Sequence, residues 1–159
     1  MSNISETRQS RSTERVAQGL AAYVPALSRS IERYLDGRLP YPRPPERQLA
    51  LLRYVTEHDG ATVYEAAEAL LMKPNNVSAL VTRLTEAGLL ERHQDETDKR
   101  VAHLRVTAKA CQRISEADDI ATGRLASALR TLTDGDLDAL GSALGALRAL
   151  AERLHDHDV

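Results

Sequence analysis

The residues best suited to chemistry form the polar outward face of a short helix that we predict to begin at Pro74. The candidate contacts are Asn75, Asn76, Ser78, Ala79, Thr82 and Arg83, with Lys73 directly before the helix. Asn, Ser and Thr can hydrogen-bond to base edges, and an Ala or Thr methyl can touch the thymine methyl. The alternative to a DNA-contacting surface is an ordinary exposed helix end, where Asn and Ser occur because they form turns. The helix alone does not decide between a surface for DNA bases and an ordinary exposed helix end.

Two helices around a tight turn position this face. Thr62 and Glu65 have the spacing of a capping box at the start of the first helix. Pro74 suits the first position of the second helix, and Gly88 can end it in the left-handed conformation. The predicted inward residues are Ala66, Ala67, Leu70 and Leu71 in the first helix and Val77, Leu80, Val81 and Leu84 in the second.

A charged hairpin is predicted to follow the second helix. Residues 89–93 and 101–106 are strand-like runs separated by the sequence QDETDKR. Lys99 and Arg100 in that loop can reach phosphates or a narrow minor groove. The loop also carries carboxylates, which oppose DNA unless they are paired, and we interpret Asp98 as a brace for a wing arginine. Together, these features favour a winged helix-turn-helix that binds DNA.

This segment resembles the winged helix-turn-helix of the MarR family of bacterial transcriptional regulators. The resemblance is carried by Thr62, Glu65, Ala67, Leu70, Val77, Ser78, Leu80, Val81, Arg83, Leu84, Gly88, Leu89, Arg92, Asp95, Asp98, Arg100, Leu104 and Thr107. It implies that Arg100 enters the minor groove, that Asp98 positions it, and that the helix from Pro74 lies in the major groove. Two positions depart from the family pattern: Lys73 replaces a usual serine or similar cap, and Lys99 replaces a common second arginine.

The composition favours a mainly α fold with a small β-hairpin wing. The chain of 159 residues has no Trp or Phe and five Tyr, so its core must consist mostly of Leu, Ala, Val and Ile, which recur at helical spacing. The predicted organisation is a disordered or frayed start at 1–13, an N-terminal dimerisation helix and connector at 14–44, the DNA-binding domain at 45–106, and C-terminal dimerisation helices at 107–159. Pro25 should kink or split the first of these helices.

The C-terminal helix indicates a homodimer. Thr133 can cap it, and Leu137, Leu140, Leu144, Leu147, Ala151 and Leu154 then alternate at three- and four-residue spacing. Together with the N-terminal helix, this stripe exceeds what a small winged-helix core can cover. The resemblance to MarR proteins also implies interleaved terminal helices. A two-fold dimer predicts a pseudo-palindromic DNA site with half-sites about 10 bp apart.

The distribution of charge and the cysteine content indicate which partners and which cellular compartment the protein has. The stretch from Arg29 to Arg53 contains six arginines and three carboxylates, whereas the stretch from Ser115 onward contains four arginines and nine carboxylates. This asymmetry suits a protein that presents one surface to DNA. The single cysteine, Cys111, fits a reducing compartment, and no leader or membrane-spanning stretch is evident. We therefore expect a cytoplasmic protein without a membrane partner.

Other chemistry is weakly supported by the sequence. No nucleophile, base or phosphate loop can be assembled, so we predict no enzyme activity and no cofactor. The five histidines lack zinc-ligand spacing, and no metal is predicted. Cys111 could be a redox sensor, as in some relatives of the MarR family, but its place on the predicted stripe of a long helix favours a buried, inert thiol. The resemblance to the MarR family implies a site for a small aromatic effector between the dimerisation helices and the winged domain. The residues that either line it or pack as ordinary core residues are Tyr23, Tyr34, Tyr54 and His58.

The sequence thus predicts a homodimeric, DNA-binding transcriptional regulator, a repressor in most of the family, whose DNA affinity responds to a small molecule or another signal. The alternative, which the carboxylates of the wing favour, is a winged-helix dimer that acts through protein contacts without binding DNA.

Overall fold

The described residues form a mainly helical fold with one hairpin. This computed structural model describes the backbone of residues 2–95 and 101–156 and the side chains of residues 10–95 and 101–154. The elements in chain order are α1 (Ser2–Asp36), α2 (Glu46–Glu57), α3 (Val63–Ala69), α4 (Pro74–Glu86), β1 (Leu90–Gln94), β2 (Ala102–Val106), α5 (Ala108–Leu129) and α6 (Asp134–Asp156). Residue contacts divide the chain into two compact units, Met1–Pro42 and Arg43–Val159.

The first unit consists mainly of α1, which is longer than the sequence predicted. The helix begins at Ser2, whereas the apolar periodicity placed its start near Thr13. Periodicity reports only where a helix has an apolar face to bury, and a polar segment can extend the same helix without one. The helix also continues through Pro25, so the predicted split at that residue does not occur. A proline removes one hydrogen bond of the ladder, and the helix resumes beyond it.

The second unit has a continuous apolar core beneath the helix-turn-helix. The most buried large side chains come from α2, α4 and the hairpin: Leu51, Leu52, Val55, Val77, Val81, Leu84, Leu90 and Leu104. Ala66 and Ala67 of α3 join this cluster, and their small side chains let α3 and α4 approach closely. The predicted inward residues of α4 are confirmed, with Leu80 only partly buried against the same core.

The ends of α3 and α4 follow the local sequence. The Thr62 hydroxyl accepts a hydrogen bond from the Glu65 amide, and the Glu65 carboxylate accepts one from the Thr62 amide at 2.7 Å, which completes the predicted capping box. Pro74 occupies the first turn of α4, and Gly88 follows the helix with a φ of 67°. The prediction for Leu71 is wrong, because α3 ends earlier and Leu71 lies in the turn with a φ of 51° and is exposed.

The hairpin is antiparallel, and β2 is attached to the loop before α3. Leu90 lies opposite Val106 and His93 lies opposite His103. The Leu104 amide donates to the Ala61 carbonyl at 2.8 Å, while the Gly60 amide donates to the Leu104 carbonyl at 3.0 Å. These backbone bonds fix the base of the hairpin to the second unit.

The two C-terminal helices bury little of their apolar surface within one chain. Thr107 caps α5, and the Thr133 hydroxyl accepts a hydrogen bond from the Asp136 amide at the start of α6, as predicted. On α6, Leu140 is 46% exposed and Leu144 is 65% exposed. Within the described residues, no helix is both long and apolar enough to cross a membrane.

The expectation of a buried Cys111 is wrong. Cys111 is exposed, whereas the preceding Ala110 is buried in the core. Successive residues of a helix point about 100° apart, so a prediction that is wrong by one position buries Cys111 in place of Ala110. The apolar residues of α5 are too few to specify how this helix is rotated about its own axis.

Candidate nucleic-acid interface

The predicted polar face of α4 is presented to solvent. Val77, Val81 and Leu84 are fully buried on the opposite side and fix the rotation of the helix. The structure brings the predicted residues of α4 together on one surface, with Lys73, Asn75, Asn76, Ala79, Thr82 and Arg83 exposed and Ser78 partly buried. The arrangement offers amide, hydroxyl, methyl and guanidinium groups side by side, which is the chemistry required for contacts with base edges and phosphates.

The start of α4 has backbone donors that its N-cap side chain does not satisfy. Lys73 occupies the N-cap position with an extended backbone and makes no capping hydrogen bond through its side chain. Pro74 has no N–H and the Asn76 amide donates to the Lys73 carbonyl at 2.9 Å, but this end of the helix still carries the positive end of the helix dipole, which favours an anion. Lys73 adds a full positive charge there. The end of α4 that carries Asn75 and Asn76 is therefore electrostatically suited to a phosphate backbone.

Arg92 adds a cation to the α4 surface that the sequence analysis did not assign to the site. Its guanidinium lies 3.4 Å from both the Ser78 carbonyl oxygen and the Thr82 hydroxyl. Arg92 lies on the strand face of Leu90, which is buried in the core, and this alternation could have indicated that Arg92 also faces towards α4. The Thr82 hydroxyl itself donates to the Ser78 carbonyl at 3.0 Å. Ser78 and Thr82 therefore form one polar patch with Arg92.

The far end of α4 is held in place by α5. Lys109 Nζ donates to the Ala87 carbonyl at 2.9 Å, and the Thr107 hydroxyl donates to the Gly88 carbonyl at 2.9 Å. A lysine near the last carbonyls of a helix also complements the negative end of its dipole. These bonds restrain the direction in which α4 leaves the core, and the orientation of the candidate surface depends on it.

The predicted tip of the hairpin lies outside the described residues. This applies to Lys99 and Arg100, predicted to contact DNA, and to Asp98, predicted to brace the arginine. At the edge of the described part, the His103 ring bridges Asp95 and Gly60: Nε2 lies 3.0 Å from the Asp95 carboxylate and Nδ1 lies 2.6 Å from the Gly60 carbonyl. The hydrogen bond to Asp95 and then the one to Gly60 raise the pKa of His103 above its usual value of 6.5.

The four residues proposed for an effector site fall in different compact units. Tyr23 and Tyr34 lie on α1, and the Tyr34 ring contacts the Arg38 guanidinium 4.1 Å from the ring centroid. Tyr54 and His58 of α2 stack with ring centroids 4.4 Å apart. Partial burial, followed by the negative charge of the nearby α3 glutamates, raises the pKa of Tyr54.

No metal centre can be assembled from the side chains that the structure describes. Within that part of the chain, no group of three or more His, Cys, Asp or Glu residues is placed to hold an ion. His103 is committed to Asp95 and Gly60, and His93 lies 3.2 Å from the Glu91 carboxylate.

Comparison with known proteins gives a family for this architecture. Residues 42–101 match the model of the MarR family. A comparison with curated proteins found no match. Three solved structures share the fold. A MarR family protein from Bacillus stearothermophilus has 21% identity and a TM-score of 0.72, over 91% of this chain and 96% of that one. A putative transcriptional regulator from Pseudomonas aeruginosa PA01 has 22% identity and a TM-score of 0.75, over 88% and 96%.

The third structure is Streptococcus pneumoniae FabT in complex with DNA, with 17% identity and a TM-score of 0.68 over 89% of this chain and 99% of that one. At these identities the structural matches show only a shared fold. The family model adds a match in sequence, which covers the helix-turn-helix and β1. The two findings together show that residues 42–101 match the MarR family model and that the chain has the fold of solved MarR family proteins.

Proposed function

We propose that this protein is a homodimeric, sequence-specific DNA-binding repressor. The observation that carries the proposal is the exposed face of α4, on which Asn75, Asn76 and Arg83 lie opposite a fully buried apolar stripe. A core that fixes the helix this firmly presents its polar side chains in a defined orientation. Such preorganisation is what contacts with base edges require.

The proposed arrangement places α4 in the major groove. The end of α4 near Lys73 approaches the phosphates, and Arg92 lies beside the same helix where a second strand of phosphates can pass. Lys99 and Arg100 are proposed to contact phosphates or the minor groove, with Asp98 orienting the arginine. Phosphate contacts set the position of the protein, while the asparagines, Ser78 and Thr82 supply sequence preference.

The proposed dimer accounts for the exposed apolar stripe on α6. Leucines at heptad-like spacing remain exposed in the single chain, and α1 likewise exposes Val16, Val24 and Leu27. Contiguous apolar surface of this kind marks a protein interface in a soluble protein. Two α4 helices related by a two-fold axis would contact half-sites about 10 bp apart.

We propose a small aromatic molecule as the signal. The stacked Tyr54 and His58 rings supply an aromatic surface on α2. A ligand can weaken DNA binding only if it prefers a spacing of the two α4 helices that DNA does not, since equal affinity for both spacings shifts nothing. A panel of aromatic carboxylic acids, tested for release of bound DNA by the parent chain and by Tyr54→Ala, would check this assignment.

The decisive experiment is a salt series of DNA-binding measurements. A duplex is first selected by the chain from a random-sequence pool, and the dissociation constant is then measured for the parent chain, Arg83→Ala, Arg100→Ala and the control Arg130→Ala. Each phosphate contact removed should lower the slope of log affinity against log salt by about 0.9. We expect that loss for the first two variants, with the dimer intact, and no loss for Arg130, which follows α5 and lies away from α4 in sequence.

Selection of no duplex by a folded dimer would contradict the proposal. That outcome would favour the alternative in which the winged-helix dimer acts through protein contacts.

A further inference from the structure

The base of the hairpin contains a histidine with hydrogen-bond acceptors at both ring nitrogens. His103 of β2 lies between the carboxylate of Asp95, which follows β1, and the carbonyl of Gly60, which precedes α3. A neutral imidazole has one N–H and can donate to only one of these acceptors, whereas the imidazolium donates to both. The geometry therefore favours the protonated ring.

The surrounding charges act in the same direction. The carboxylate of Asp95 lies closest, and Glu65 of α3 adds a weaker attraction. On the other side are His93, which faces His103 across the hairpin, and Arg105, whose Nε lies 3.5 Å from the Asp59 carboxylate. His93 is in turn 3.2 Å from the Glu91 carboxylate, so His93 and Arg105 each have a carboxylate beside them. The balance around His103 is negative.

We propose that His103 is a pH-responsive positioning residue for the hairpin: its protonated ring neutralises Asp95 and fastens it to the loop before α3, and deprotonation weakens DNA binding. This inference rests on the proposed function. Asp95 directly precedes the segment that carries Lys99 and Arg100 in the sequence. Without the positive charge of His103 the Asp95 carboxylate is less neutralised, so it repels phosphates more strongly at the end of β1.

The direction of the pH dependence follows from the contacts. Folded-state contacts raise the pKa of His103, so its contribution is complete below about pH 6.5 and is lost as the pH rises through the folded-state value. The backbone bonds between Leu104 and the Gly60–Ala61 segment do not involve the imidazole, so we expect the hairpin itself to stay folded in both states. DNA affinity should therefore fall with rising pH while the helical signal is unchanged.

The test is a pH series of DNA affinity at constant salt, using the duplex selected by the parent chain. Between about pH 6 and about pH 9 we expect the parent chain to lose roughly threefold in affinity, the scale of a solvent-exposed charged contact. His103→Gln should bind weakly and with little pH dependence. Asp95→Asn should bind at high pH at least as tightly as the parent at low pH, also with a flat profile. His93→Gln, the matched control on the opposite strand, should keep the parent profile.

The three variants distinguish an effect of the His103–Asp95 pair from direct attraction of DNA by the positive charge of His103. If the positive charge of His103 attracted DNA by itself, Asp95→Asn would keep its pH dependence, and that result would overturn the inference. A profile of His103→Gln that matches the parent would also overturn it. NMR titration of the ring protons adds a readout without DNA, in which the pKa of His103 should fall in Asp95→Asn. Failure to bind the selected duplex at every pH would instead overturn the proposed function, and this inference with it.

Discussion

The helix-turn-helix region buries its apolar side chains within one chain, whereas α6 leaves many of its apolar side chains exposed. In α4, Val77, Val81 and Leu84 are 0% exposed, whereas Leu144 and Leu154 of α6 are 65% and 63% exposed in the single chain. The first region therefore completes its core within one polypeptide. The second has a leucine stripe of the same regularity that one polypeptide does not cover. The difference indicates that the proposed DNA-contacting surface and the proposed dimer surface are stabilised separately, so we expect that each can be disrupted without the other.

The largest effect should come from a cavity in the core of the helix-turn-helix. Leu84→Ala removes a fully buried side chain and should lower the free energy of unfolding by about 3 kcal/mol, measured by urea denaturation. The matched control is Tyr64→Ala in α3. Tyr64 is 69% exposed, so the expected loss is below about 0.5 kcal/mol. Equal losses for the two variants would contradict the contrast in burial.

The next effect concerns the stripe of α6. Leu144→Asp places a charge where two α6 helices are proposed to meet and should raise the dimer dissociation constant at least about tenfold, because a buried unpaired charge is costly. Sedimentation equilibrium measures this constant. Ser142→Asp, off the leucine stripe, should leave it unchanged. A parent chain that sediments as a monomer would refute the assigned role of the stripe.

A smaller effect is expected at the capping box of α3. Thr62→Ala removes the hydroxyl that bonds to the Glu65 amide and should cost about 1 kcal/mol of unfolding free energy. The bonds from Thr62 lower the pKa of Glu65, so their contribution is present above about pH 4.5 and is lost on acidification. Urea denaturation at neutral and acidic pH should show a smaller difference between the parent and the variant in acid, because the bond from the Thr62 hydroxyl to the Glu65 carboxylate is lost there, while the bond from the Glu65 amide to that hydroxyl remains. Glu68→Gln, in the same helix, should not reproduce this pH dependence.

The smallest effect is a gain in stability in the turn before α4. Leu71 has a φ of 51°, a conformation that costs energy for a residue with a β-carbon. Leu71→Gly should remove that strain and, after the entropy cost of glycine, stabilise the fold by about 0.5 kcal/mol in thermal unfolding. Leu71→Ala retains the β-carbon and should give no such gain. A loss of stability in Leu71→Gly would show that the exposed leucine side chain contributes contacts of its own.

Local rules predicted the parts of the fold that short segments determine. The capping box at Thr62, the start of α4 at Pro74 and the two strands of the hairpin each depend on residues close in sequence, and the structure confirms them. The polar face of α4 followed from the same logic. Its exposure could be predicted because three strongly apolar residues at helical spacing specify which side of the helix is buried.

Features that depend on distant contacts were missed. The burial of Ala110 instead of Cys111 depends on how α5 is rotated against the core, and the weak stripe of α5 does not specify that rotation. The position of Arg92 against α4 requires the strand and the helix to be packed together first. The bridge from His103 to Gly60 joins residues far apart in the sequence, so no local pattern could indicate it.

The most direct test of the account is the sequence selectivity of a variant altered only at the start of α4. The ratio of affinities for the selected duplex and a scrambled duplex is measured by fluorescence anisotropy for the parent chain, for Asn75→Ala combined with Asn76→Ala, and for the control Glu86→Ala at the other end of the helix. The account predicts that the ratio falls by about tenfold or more in the double variant and is unchanged in the control, because the asparagines contact base edges. An unchanged ratio in a folded, dimeric double variant would contradict the assignment of this face to DNA recognition.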